Sequence, residues 1–170
     1  LKAFQSRIEL TAFEFFSEAA LEKVVTHSGV KRPMASVGEF YTLLEFECPT
    51  DVEEGIALEL FEACLENEWA IDGVMSQSRA QAEALWRCRE DISETITRWT
   101  PYKNDISVTV GRVPEFLAAI DGVVKTEYPE TLSVAIETSV RGSLLKRLIP
   151  HLADWYCSIS CVCSASKALS

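Results

Sequence analysis

Four short, partly polar strand-like runs alternate with four helical periods between residues 12 and 128. Strands of a doubly wound parallel sheet are covered on both faces and read as continuous apolar runs. Here Ala12–Phe16 is aromatic but interrupted by Glu14, and Phe40–Glu47 alternates, with Thr42, Leu44 and Phe46 on one side. Ala70–Met75 is a third strand candidate and Asp105–Val110 a fourth. The expected fold is therefore α+β: a mainly antiparallel sheet with helices packed on one face, ferredoxin-like in arrangement.

The helices carry their own start and stop signals. Ser17 is a cap candidate for a helix bearing Leu21, Val24 and Val25, which Gly29 ends. Thr50 and Glu53 have the spacing of a capping box, followed by a stripe of Ala57, Leu60, Phe61 and Cys64. A third helix spans about 79–98, with Leu85, Cys88, Ile92, Ile96 and Trp99 inward. Pro114 suits the first turn of a fourth, with Leu117, Ile120 and Val124 inward.

Composition changes near residue 132. All but two of the 26 acidic residues precede it; the remainder is rich in serine and holds Cys157, Cys161 and Cys163. We expect residues 1–131 to form the domain and 132–170 a poorly ordered tail without a clear helical or strand period. The net charge of −10 excludes a nucleic-acid or anionic-membrane surface. No apolar run reaches the ~18 residues of a membrane helix, and no signal peptide is visible. Cys48, Cys64 and Cys88 sit singly in ordinary elements, which reads as reduced thiols in a cytoplasmic protein. The chain begins at Leu1, so a cut from a longer protein is expected.

One segment carries candidate chemistry. Arg89 and Ser93 are four apart on the third helix, on one face that borders its apolar stripe. Lys103 follows in a loop after Pro101. Two cations and a hydroxyl suit a small carboxylate, arginine by a bidentate contact and lysine as a point charge. Spacing alone equally allows Arg89 to be a solvated helix residue paired with Glu90 or Asp91, and Lys103 a loop lysine. His27, near a helix end, has a dipole contact as its ordinary explanation, and His151 has no ligand-spaced partner. The three tail cysteines lack zinc spacing. No P-loop, nucleophile elbow or glycine-rich dinucleotide loop occurs.

The run Trp86-x-x-Arg-Glu-x-Ile-Ser-Glu, then Tyr102-Lys-Asn-Asp-Ile-Ser-Val-x-Val-x-Arg-Val-Pro-Glu-Phe-Leu, closely resembles the C-terminal substrate domain of FAD-linked oxidases. That family includes D-lactate dehydrogenases, the glycolate oxidase flavin subunit and D-2-hydroxyglutarate dehydrogenases. Thr11-Ala-Phe-Glu-Phe-Phe and Phe40-Tyr-Thr-Leu-Leu-Glu-Phe also look like family segments, so the resemblance covers roughly residues 8–130. It implies an oxidoreductase acting on a D-2-hydroxy acid, whose alcohol carbon gives a hydride to FAD while a base takes the hydroxyl proton. It implies that Arg89, Ser93 and Lys103 hold the substrate carboxylate, and that none of the three is catalytic. The family's FAD domain is expected to lie outside this chain. Its Gly-His-x-Gly-Asp-Gly-Asn-x-His motif, which serves a divalent metal and catalysis, is replaced by Ser133-Val-Ala-Ile-Glu-Thr-Ser-Val-Arg-Gly. The fragment alone is therefore expected to be inert and to hold neither FAD nor a metal, its partners being a small 2-hydroxy acid and the parent's flavin domain. The rival readings are a non-enzymatic α+β module that binds a small anion or a partner, and a nonfunctional gene remnant.

Overall fold

The computed structural model describes residues 1–99, 101, 108–130, 134, 136–138 and 158–165. It is an α+β fold. The elements are α1 (Lys2–Gln5), β1 (Leu10–Ser17), α2 (Glu18–His27), β2 (Phe40–Glu47), α3 (Asp51–Glu66), β3 (Asp72–Met75), α4 (Arg79–Ile96), α5 (Val113–Glu127), β4 (Ile136–Thr138) and β5 (Ser158–Ala165). The strands make one sheet of order β3-β5-β2-β1-β4, with every pairing antiparallel.

Leu43 and Leu44 are neighbours in β2 and therefore point to opposite faces. On one face Phe16, Tyr41 and Leu43 pack against Leu21 and Val24 of α2 and Leu85, Cys88 and Ile92 of α4. On the other, Leu44 and Phe46 meet Phe4 of α1 and Ala57 and Leu60 of α3. The α2/α4 pair answers the expected layer, but the second face is covered too. The reason is legible in β2, which is apolar on both sides: Tyr41 and Leu43 against Leu44 and Phe46, all buried. Fully burying such a side chain contributes roughly 1.5–3 kcal/mol, so neither face is stable bare.

Local signals act mostly as expected. Thr50 and Glu53 form the capping box of α3. Ser17 holds the extended cap conformation before α2, without a side-chain capping bond. Gly29 follows α2 with φ of +72°, a left-handed position that favours glycine. His27 is the last residue of α2, and its ring lies edge-on to Trp99, over which Lys23 also reaches. Trp99 ends a short 3-10 turn, Thr97–Trp99, so it pins the end of α4 to α2.

Two stretches differ from expectation. Of Asp105–Val110, residues 105–107 lie outside the described residues; Val108 and Thr109 are irregular and Val110 opens a 3-10 turn leading into α5. Ser158–Ala165, for which no strand period was expected, is a strand seated between β3 and β2. Ile159, Cys161, Cys163 and Ala165 alternate with Ser158, Ser160, Val162 and Ser164, a weak period of two built mostly from small residues.

Candidate site on helix α4

α4 begins at Ser78, whose hydroxyl accepts from the Gln81 amide. Ala82, Leu85, Cys88, Ile92 and Thr95 form its buried side. Trp86 and Arg89 sit three residues apart beside that stripe, at the boundary between core and solvent. The sheet meets each of them with a carboxylate. Arg89 Nε donates to Glu14 Oε2 at 2.8 Å, and the side chains are 17% and 7% exposed. Trp86 Nε1 donates to Glu45 Oε2 at 2.7 Å, while Thr11 Oγ1 donates to Glu45 Oε1 at 2.6 Å.

Glu14 and Glu45 are buried polar residues on adjacent strands. They follow the inward alternation of β1 (Ala12, Glu14, Phe16) and β2 (Tyr41, Leu43, Glu45). A buried carboxylate is costly unless paired or hydrogen-bonded. Each of these two holds a donor on α4, so the pair fixes that helix at two points over the sheet.

Arg89 is thus held by the sheet through Glu14, and Asp91 is taken by Arg87, at 2.8 Å. Ser93 lies one turn beyond Arg89 on α4 and is exposed. Lys103 lies outside the described residues. Glu14 and Glu45 escaped the sequence reading. The signal for them was an acidic residue at an inward position of an otherwise aromatic or aliphatic strand.

A second, half-buried network lies beside α2. Arg32 makes a two-pronged ion pair with Glu18, at 2.6 and 2.9 Å. The Tyr41 hydroxyl donates to Glu18 and accepts from Arg32 Nη1 at 2.9 Å and the Gly38 amide at 3.3 Å. Burial, and then the bond to Glu18, raise the Tyr41 phenol above its ordinary range. The Glu18 hydrogen bond raises Arg32. Burial pushes the Cys88 thiol up to about 11. The bonds among Glu18, Arg32 and Tyr41 tie the start of α2 and the loop after it to β2.

Among the described residues no group of three or more His, Cys, Asp or Glu is arranged to hold a metal, and no helix is long and apolar enough to cross a membrane. Of the glycines there, Gly29 ends a helix, Gly38 precedes β2, Gly73 lies within β3, Gly55 and Gly122 lie inside helices, and Gly111 lies in a 3-10 turn. None joins a strand to a helix N-terminus as a phosphate cradle does.

An antiparallel α+β domain with an arginine-bearing helix locked onto its sheet is the class the geometry defines. The family of FAD linked oxidases, C-terminal domain, matches residues 1–140, and the chain belongs to it. It is 55% identical over 130 residues to the D-2-hydroxyglutarate dehydrogenase of Stutzerimonas stutzeri (strain A1501), covering 76% of this chain and 28% of that protein. The D-2-hydroxyglutarate dehydrogenase of Xanthomonas citri pv. viticola is 44% identical over 128 residues, 75% of this chain and 27% of that protein. The mitochondrial enzyme of that name from Arabidopsis thaliana is 35% identical over 107 residues, 61% of this chain and 19% of that protein. The chain thus spans about a quarter of the length of the two bacterial relatives.

Proposed function

We propose that this chain supplies the substrate-carboxylate grip of an FAD-dependent dehydrogenase acting on a D-2-hydroxy acid such as D-2-hydroxyglutarate, D-lactate or glycolate. The flavin is assigned to a domain outside these 170 residues, and the metal-and-base motif to the part of the family domain that the sequence after residue 132 does not carry. The family-like part of the domain is residues 1–131, with β4 and β5 adding two strands to its sheet, and the compartment is the cytoplasm.

The carrying observation is Arg89, a guanidinium 17% exposed at the rim of the core and held by a carboxylate from the sheet. At a net charge of −10 the protein's overall field repels an anionic substrate, so binding requires local cations. Arg89 takes the carboxylate through paired N–H donors, Ser93 adds a hydroxyl one turn on, and Lys103 adds a point charge. All three orient the substrate, and none breaks a bond. D-2-hydroxyglutarate leads the substrate list because two bacterial relatives of that name are 55% and 44% identical.

The test is a chimera in which residues 1–130 replace the matching segment of the Stutzerimonas stutzeri dehydrogenase. It should fold, bind FAD and oxidise D-2-hydroxyglutarate in preference to the L-enantiomer. A folded, flavin-loaded chimera without that activity contradicts the reading.

A further inference from the structure

We infer that Glu14 is a positioning residue for the substrate grip, acting through Arg89; this rests on the reading of Arg89 as the carboxylate-binding group. Its carboxylate occupies the Nε–H of the guanidinium at 2.8 Å and so fixes the plane and direction of the fork.

The base of this contact is rigid. Glu14 lies in β1, paired on one side with Leu43 of β2 and on the other with Thr138 of β4. A residue hydrogen-bonded into a sheet on both sides has little freedom to follow a moving partner. The helix is equally constrained, because Trp86, one turn earlier, is bound to Glu45 on the neighbouring strand. Two anchors on strands roughly 4.8 Å apart oppose rotation of α4 about its axis. Arg89 then has one setting in place of several rotamers, and less entropy is lost when it meets a ligand.

Stability is a poor explanation for such a pair. Removing two charges from water costs several kcal/mol per ion, and an apolar pair of similar volume is often as stable. Aiming a charged fork requires this arrangement and no apolar pair supplies it. Glu14 also carries a negative charge towards the site, which opposes an anionic ligand. Geometry and charge therefore predict opposite behaviour for two conservative changes. Glu14→Gln keeps the acceptor oxygen in place and removes the charge. Glu14→Asp keeps the charge and withdraws the acceptor by one methylene.

The full 170-residue chain is titrated with D-2-hydroxyglutarate by 1H–15N NMR, with the Arg89 Nε–H as reporter. The unsubstituted chain should show a slowly exchanging Arg89 Nε–H. In E14Q that signal should persist and Kd should stay within about threefold. In E14D the signal should broaden or vanish and Kd should rise about fivefold or more. The Trp86 indole signal, bonded to Glu45, verifies that each variant keeps its fold. If E14D does not fold, Glu14→Ser takes its place with the same readouts and limits, and E14Q binding weakened more than threefold overturns the positioning role in either case. R89K separates the two claims. Unchanged Kd in R89K, or no binding by the unsubstituted chain, defeats the carboxylate reading and the positioning role with it. Weakened binding in R89K with both Glu14 variants like the unsubstituted chain defeats the positioning role alone.

Discussion

Replacing Tyr41 by Phe removes one oxygen from the centre of the molecule and nothing else. The ring is fully buried and stacked 5.7 Å from Phe16, so Phe keeps the packing. The hydroxyl serves three partners: it donates to Glu18 and accepts from Arg32 and from the Gly38 amide. Glu18 and Arg32 still satisfy each other through their two remaining contacts, at 2.6 and 2.9 Å. The Gly38 amide loses this acceptor, and Glu18 loses a charge-assisted donor. A hydrogen bond to a charged group contributes about 1.5–3 kcal/mol, and an orphaned buried donor costs a similar amount. Partial recovery by the Arg32–Glu18 pair and by water brings the expected loss to about 2 kcal/mol. In urea, with a slope of roughly 2 kcal/mol/M, the midpoint should fall by about 1 M at unchanged slope. A midpoint within about 0.2 M of the unsubstituted protein would refute the claim that this hydroxyl joins α2 to β2.

Two further outcomes follow from the same coordinates. Cys88 keeps its proton to about pH 11 when folded, against an ordinary value of 9.0. Between those limits the unfolded chain binds fewer protons, so stability is fully present below pH 9 and falls towards pH 11, by roughly 2–3 kcal/mol from this group. Tyr41, also raised, adds to the fall; urea midpoints across that range should drop, and less steeply in Cys88→Ala. Thr50→Ala removes the capping box of α3 and should cost about 1 kcal/mol by the same assay, with loss of activity in the chimera no greater than the loss of folded protein.

Much of this architecture is written in periodicity. β1, β2 and α2 to α4 emerge from apolar spacing because tertiary packing uses the faces that spacing defines. The double-sided cover of the sheet was also present, in the adjacent Leu43 and Leu44, but attention to one face of β2 hides it. β5 was obscured because serine and cysteine are too small to make a strong period. Its position comes from pairing with β2 and β3, a non-local fact. Arg89 and Ser93 were legible because a helix fixes four-residue neighbours. Glu14 was not, because its partner lies 75 residues away and only the fold brings them together. An acidic residue on an inward strand position is the local trace of such a pairing.

The central claim is that Arg89 grips the substrate carboxylate. The direct measurement is the Michaelis constant for D-2-hydroxyglutarate of the chimera carrying Arg89→Lys, beside the parent chimera. A two-pronged contact becomes a point charge at the edge of the core, a loss of roughly 1–3 kcal/mol. KM should therefore rise about 5- to 150-fold, while kcat falls far less. An unchanged KM in a folded, flavin-loaded variant would contradict the account.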